Sequence, residues 1–277
     1  MEYDNQLFAE SKSRSMSHYT DDPSEVNSLF DEVVYGKAGA VLRMFMHAFT
    51  ENSFRKGLKY YLTDNAYDSV TEEDLFDGLK LAVKEDGTLD ENLSVHEIFS
   101  SWSNQAGLPL LTVNRNYSDN TIQITQESCV DKSSKHASWW IPYNFDTANN
   151  IEQNKTTPDG WLAKGVQSMV IRPTEQKSWS TNDWVIFNRQ QTGYYRVLYD
   201  ERNYQMILDD YKSGRIEKIH SLNRAQLMDD LGYFARSGRL PYSLFFEFFK
   251  QIAHGTDKAT ITGSNGKITD LLNFEKS

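Results

Sequence analysis

Residues 96–100 read HEIFS, half of a familiar metal signature. A helical H-E-x-x-H holds zinc between two histidines one turn apart and uses the glutamate as base. Here the second ligand position is Ser100, so His96 and Glu97 read as a surface pair on a helix. His18, His47, His136, His220 and His254 are scattered, none with a histidine four residues away. Cys129 is single, which excludes an intrachain disulfide and a cysteine-based zinc site. The neighbouring acids Glu72–Glu73 and Asp229–Asp230 point to different helix faces and read as solvated. No glycine-rich phosphate loop and no G-x-S-x-G nucleophile elbow occurs. That leaves Tyr35, inside FDEVVYGKAGAVLRMF at 30–45. Gly36 and Gly39 each cost a helix about 1 kcal/mol relative to alanine. With Ala38 and Ala40 they let another backbone come close, which could offset that cost. Val34, Ala38, Val41, Leu42 and Phe45 form the expected buried stripe, with Tyr35 one step around from it. On spacing alone, Tyr35 is a core-edge tyrosine whose hydroxyl finds a partner, or a donor held for chemistry.

The elements that must position these residues change period along the chain. Residues 1–106 read as helices. Asp22, Pro23 and Glu25 open a run over 24–50 that reads as one or two helices. A second helix puts Phe54, Leu58, Tyr61 and Leu62 on one face. A third opens at Thr71 with a capping-box spacing to Asp74 and carries Leu75, Leu79, Ala82 and Val83. A fourth, LSVHEIFSSWSNQAG, ends at Gly107 and Pro109. LPLLTVNRNY and NTIQITQES then read as paired strands, and SWWIPYNF, GVQSMVIRP, NDWVIFNRQ and GYYRVLYD as further strands. Short strands with polar turns suggest a small β-sandwich over 107–200. Helices resume over 201–254, where Leu222, Ala225, Gln226, Asp229 and Tyr233 recur at helical spacing. Residues 255–277 lose the pattern and read as a flexible tail.

Composition bounds the function. The chain has 277 residues, is 39% hydrophobic and 13% aromatic, and so is globular rather than disordered. A net charge of -10 without a basic patch argues against nucleic acid. The N-terminal stretch is expected not to be a signal peptide, and no run is apolar enough to span a membrane. Read alone, that is a cytosolic chain. Three N-x-[ST] triplets, at Asn92, Asn116 and Asn154, hint faintly at a secreted parent.

Four motifs then occur in a telling order. F-D-x-x-x-Y-x-K precedes V-L-R-M-F, with SMSHYTDDPSEVNSLFDEVVY leading into it. W-S-N-Q-A-G-L-P-L-L-T-V follows at 102–113, a stretch ending G-Y-Y-R-V-L-Y-D at 184–200, and N-R-A-Q-L-M-D-D at 223–230. Together they resemble the aminopeptidase N family of zinc aminopeptidases, the gluzincin metalloaminopeptidases, over roughly residues 10–245. The resemblance implies a multidomain α+β chain. The helical end of a catalytic domain (1–106) would lead into a β-sandwich (107–200) and then the first helices of a C-terminal helical domain (201–254). It implies that Tyr35 is the catalytic tyrosine, whose hydroxyl supports the oxyanion of the tetrahedral intermediate. A fixed donor of that kind is worth roughly 2.7–4 kcal/mol. Lys37 and Arg43 stand in family-like positions without an assigned role.

The family's H-E-x-x-H, its third zinc ligand and its G-x-M-E-N substrate anchor have no counterpart here. The resemblance therefore implies a fragment of an enzyme that removes N-terminal residues from peptides, with zinc in the full-length family, none bound by this chain, and no activity from the chain alone. It implies a peptide substrate and an extracellular or plasma-membrane-attached setting, and leaves a homodimer open. Two other classes stand beside it: a non-catalytic peptide- or protein-binding module, and an independent hydrolase, for which no nucleophile–base pair is visible.

Overall fold

The computed structural model describes residues 14–31, 33–129 and 137–253. His136, His254 and the 255–277 stretch lie outside them. The chain opens with a short helix α1, Pro23–Val26, and a 3₁₀ turn, Asn27–Leu29. A π-helical turn, Val33–Lys37, runs straight into α2, Ala38–Ala48. The one or two helices expected over 24–50 are thus several pieces, with a break near Phe30, and Tyr35 lies in the π turn, not in a regular helix.

Helices α3 (Glu51–Asp64), α4 (Glu72–Asp86) and α5 (Val95–Ser103) follow. Each start has a physical cause. The Thr50 hydroxyl accepts from the Ser53 amide, the Asp74 carboxylate accepts from the Thr71 amide at 2.7 Å, and the Ser94 hydroxyl accepts from the Glu97 amide. Gly87, at φ 63°, closes α4 in the left-handed region.

α3 and α4 pack through glycine. A Cβ on Gly57 would stand 2.8 Å from the Leu79 Cα, and one on Gly78 would stand 2.7 Å from the Gly57 carbonyl oxygen. The close backbone approach expected beside Tyr35 occurs here instead. A Cβ on Gly39 would meet nothing within 4 Å. Leu62, expected on the buried face of α3, is 66% exposed, because α4 covers only the side carrying Ser53, Phe54 and Gly57.

Strands β1 (Pro109–Asn116) and β2 (Thr121–Ser128) form the expected hairpin. They belong to a four-stranded sheet in the order β6-β2-β1-β8, with β6 (Ser168–Ile171) antiparallel to β2 and β8 (Arg196–Tyr199) parallel to β1. β3 (Ile141–Tyr143) pairs with β5 (Gly160–Leu162), and β4 (Phe145–Thr147) with β7 (Val185–Phe187). The strand region is thus one larger sheet and two short ladders. β3, β4 and β7 are buried at every position, which hides the alternation a half-exposed strand would show.

Helices α6 (Glu201–Lys212), α7 (Ser221–Arg236) and α8 (Tyr242–Ala253) complete the described chain. One continuous apolar core runs from Phe45, Phe99 and Trp102 through Leu110, Ile124 and Trp139 to Tyr204, Phe234 and Phe248. Trp102 sits at the first junction, where its indole N–H donates to the Trp140 carbonyl at 2.8 Å. α7 is buried nearly all round rather than along one stripe.

Candidate functional site

Tyr35 is 65% exposed. The turn beneath it is pinned at both ends. At the start, Asp31 accepts from the Val33 and Val34 amides at 2.9 and 3.2 Å, and its own carbonyl accepts from the Tyr35 amide at 3.2 Å. An aspartate in front of three free amides is a natural helix cap. Arg14 fixes the carboxylate in turn through Nη2 at 3.0 Å and Nε at 3.3 Å. Partial burial works to raise the Asp31 carboxyl, but Arg14 and the two amides hold it below its usual range.

At the other end, Lys37 is 2% exposed and donates through Nζ to the Gln105 carbonyl at 2.7 Å. Burial, with a smaller push from the Arg14 charge, brings its pKa down to about 8. The Gln105 side chain bridges the Ser101 and Ser138 carbonyls. Lys37 therefore ties the turn to the exit of α5 and, through the Gln105 side chain, to the segment that leads into β3. Farther along α2, Arg43 donates to the Gln191 carbonyl at 2.8 Å, and the Met44 sulfur accepts from the Tyr194 amide. The backbone that carries Tyr35 is held from three directions while its side chain stays free to solvent.

The buried stripe differs from expectation. Val34 and Leu42 are 36% and 38% exposed. Val41 and Phe45 are buried as expected, joined by Val33, Lys37, Met44 and Ala48, and the π turn shifts Val33 and Lys37 inward where a regular helix would have placed Val34. The outer side of this turn carries Val34 and Tyr35, with Leu42 farther along α2, and Tyr19, Val26 and Phe30 are exposed as well. A groove of about 730 Å³ opens between residues 16–19, α2 and α4. Its lining includes Ala38 and Leu42, one and two turns beyond Tyr35, and Phe76 and Phe99.

His96 stands at the surface of α5, 3.4 Å from Glu73 and 3.3 Å from Asp77 on α4. Glu72 is partly covered and accepts a hydrogen bond from the Ser17 hydroxyl. Both acids of the first pair thus have partners. His47 is pushed down by burial and by Arg43, and its Nδ1 lies 2.9 Å from the Thr156 hydroxyl. Among the described residues no group of three or more His, Cys, Asp or Glu is arranged to hold a metal ion. The described residues therefore do not form a donor set that fits the zinc of the resembled family.

Asp229 and Asp230 are the largest correction. They are 3% and 2% exposed, not solvated. Arg196 of β8, fully buried, donates through Nη1 to Asp229 at 2.7 Å and to Asp230 at 2.8 Å. Asp230 also accepts from the Val197 amide at 3.0 Å, and the guanidinium lies 4.3 Å from the Tyr233 ring centre. Burial pushes the Asp230 carboxyl up to about 7, partly countered by Arg196. Two motifs noted separately, G-Y-Y-R-V and L-M-D-D, are two halves of one joint. An arginine inside an otherwise apolar strand was the available signal, since a buried cation demands buried acids.

The helices and the mixed strands describe an α+β chain. Residues 2–102 match the Peptidase family M1 domain, and residues 184–273 match the ERAP1-like C-terminal domain. The chain belongs to the M1 peptidase family, as a segment of the aminopeptidase N type. It is 34% identical over 254 residues to the aminopeptidase N of Plutella xylostella, covering 90% of this chain and 26% of that protein. Against the membrane alanyl aminopeptidase of Heliothis virescens it is 33% identical over 255 residues, covering 88% and 24%. Against the aminopeptidase N of Bos taurus it is 30% identical over 225 residues, covering 80% and 22%. The chain thus spans about a quarter of the length of the curated relatives it matches. No helix among the described residues is long and apolar enough to cross a membrane.

Proposed function

We propose that this chain is the segment of a zinc-dependent aminopeptidase that supplies the oxyanion donor, Tyr35. The substrate class is peptides with a free amino terminus, and the setting is extracellular or at the plasma membrane, as the names of the relatives suggest. The observation that carries the reading is the turn itself. An exposed phenol stands on a backbone fixed by Asp31 and Lys37, one turn before Ala38, where the lining of the groove begins on this helix. A donor contributes most when its position is set before charge develops on the substrate. Its hydroxyl would donate to the carbonyl oxygen as that oxygen becomes negative during attack on the peptide bond.

The 277 residues alone are inactive in this proposal, because no donor set for the metal is found among the described ones. The helical, strand and second helical regions correspond in order to the end of the catalytic domain, a β-sandwich domain and the start of the C-terminal helical domain. A non-catalytic binding module is the second reading. The groove and its apolar rim favour it, since exposed apolar patches mark contact surfaces.

Capture of the native protein with an antibody to residues 107–130 separates the two. A species several-fold larger than 32 kDa, with chelator-sensitive release of N-terminal residues, is expected. In that species, Tyr35→Phe should lower kcat roughly 10²–10³-fold with KM little changed. A native 32 kDa species without such activity would leave the binding module.

A further inference from the structure

Of the three N-x-[ST] triplets, one differs from the others in its geometry. Asn116 is the last residue of β1, and the strand's alternation turns Asn114 and Asn116 outward while Arg115 is buried. Tyr117, the middle residue of the triplet, faces the protein. Its hydroxyl donates to Asp200 at 2.8 Å, and its ring lies between the guanidiniums of Arg115 and Arg202, 4.9 and 4.1 Å from its centre. The turn is further stapled by the Trp179 indole N–H, which donates to the Asn120 carbonyl at 3.1 Å. Asn116 and Ser118 are thereby both held exposed. The Asn116 carboxamide oxygen accepts from the Ser118 amide at 3.0 Å and from the Ser118 hydroxyl at 2.6 Å. Asparagine and hydroxyl, the two groups the triplet must present together, already address each other.

The other two triplets are committed elsewhere. The Asn92 amide nitrogen donates to Asp90 at 2.9 Å, and the Ser94 hydroxyl caps α5. Asn154 is exposed, but its Thr156 hydroxyl is engaged with His47, and the Thr156 carbonyl accepts from Asn144.

We propose that Asn116 is an N-glycosylation site: its side-chain nitrogen carries an oligosaccharide on the outer end of the β1–β2 hairpin. The donor class is a lipid-linked oligosaccharyl pyrophosphate, used by a membrane transferase. The Asn116 Nδ2 forms a bond to the anomeric carbon as the anomeric carbon–phosphate bond breaks. The amide loses one proton, and the lipid pyrophosphate leaves with the bonding pair. Because Tyr117 and not Asn116 anchors the hairpin, the sugar projects into water without displacing any packed side chain. The proposal rests on the lumenal route implied by the extracellular setting, and its test keeps the two apart.

The full chain is secreted from a eukaryotic cell behind a cleavable leader, and the native protein is isolated in parallel. Both are treated with an amidase that removes N-linked glycans and leaves aspartate. The expected result is a downward mobility step on treatment, with aspartate appearing at position 116. Asn116→Gln should remove one step, and so should Ser118→Ala, which keeps the asparagine. Asn92→Gln and Asn154→Gln should keep that step. A secreted chain with no step, or one whose steps survive both Asn116→Gln and Ser118→Ala, overturns the proposal. A glycan at 116 in the leader-driven chain but not in the native protein upholds the site and removes the lumenal reading instead.

Discussion

The Tyr35 turn and the Arg196 joint solve opposite problems. At the turn, Lys37 is buried and Asp31 partly covered beneath Tyr35, and the tyrosine side chain is left in the open. Lys37 donates to a backbone carbonyl, Asp31 accepts from two backbone amides and from Arg14, and Tyr35 is 65% exposed. At the joint, the charges themselves are sealed. Arg196 holds both Asp229 and Asp230 through its Nη1 between β8 and α7. In the proposed role Tyr35 needs access to a substrate, so only its scaffold can be covered. A structural charge cluster needs no access and becomes costly only when one member is lost.

The sharpest way to break that comparison is to remove the cation. Arg196→Met leaves two adjacent buried acids without their shared partner. It should destabilise the chain by roughly 3–5 kcal/mol, read from the urea midpoint. Tyr35→Phe should move the same midpoint by less than about 0.5 kcal/mol, because it removes a hydroxyl from an exposed side chain. Equal shifts would mean that Tyr35 is a structural residue after all.

A second test separates two kinds of glycine. Gly57→Ala forces a methyl against the Leu79 backbone and should cost about 1–3 kcal/mol. Gly39→Ala meets open space on α2 and should add up to about 1 kcal/mol of stability through helix propensity. A loss at Gly39 would show that its face is covered in solution.

A third test is in pH. Asp230, pushed up to about 7 in the fold, contributes stability that is full below the usual aspartate range and is lost as pH rises through about 7. Lys37, pulled down to about 8, does the reverse. Its contribution is present above the ordinary lysine value and is lost as pH falls through about 8. Asp230→Asn should flatten the acid side of the stability profile, and Lys37→Met the alkaline side. Each side should respond to its own variant only.

Much of this was legible along the chain. The capping box at Thr71 and Asp74, the β1–β2 hairpin, and the glycine after α6 are local chemistry, decided within a few residues. β5 was not legible, because Gly160–Leu162 is too short and too mixed to show a period. The exposure of Leu62 was hidden because a periodic apolar face records what could be buried, not how much of it a neighbour covers.

For the candidate site, the sequence by itself selected Tyr35, through the residue types around it and their order with three distant motifs. Its helix-capping aspartate was also within reach, four residues earlier. Only the tertiary structure decided that the turn is π-helical, that Lys37 is buried beneath it, and that Val34 and Leu42 face outward. Only the tertiary structure joined Arg196 to Asp229 and Asp230, 33 and 34 residues away. The physical reason is the same in each case. Local chemistry fixes backbone conformation over a turn or two, whereas burial and charge pairing depend on which surfaces meet, and those surfaces come from far apart in the chain.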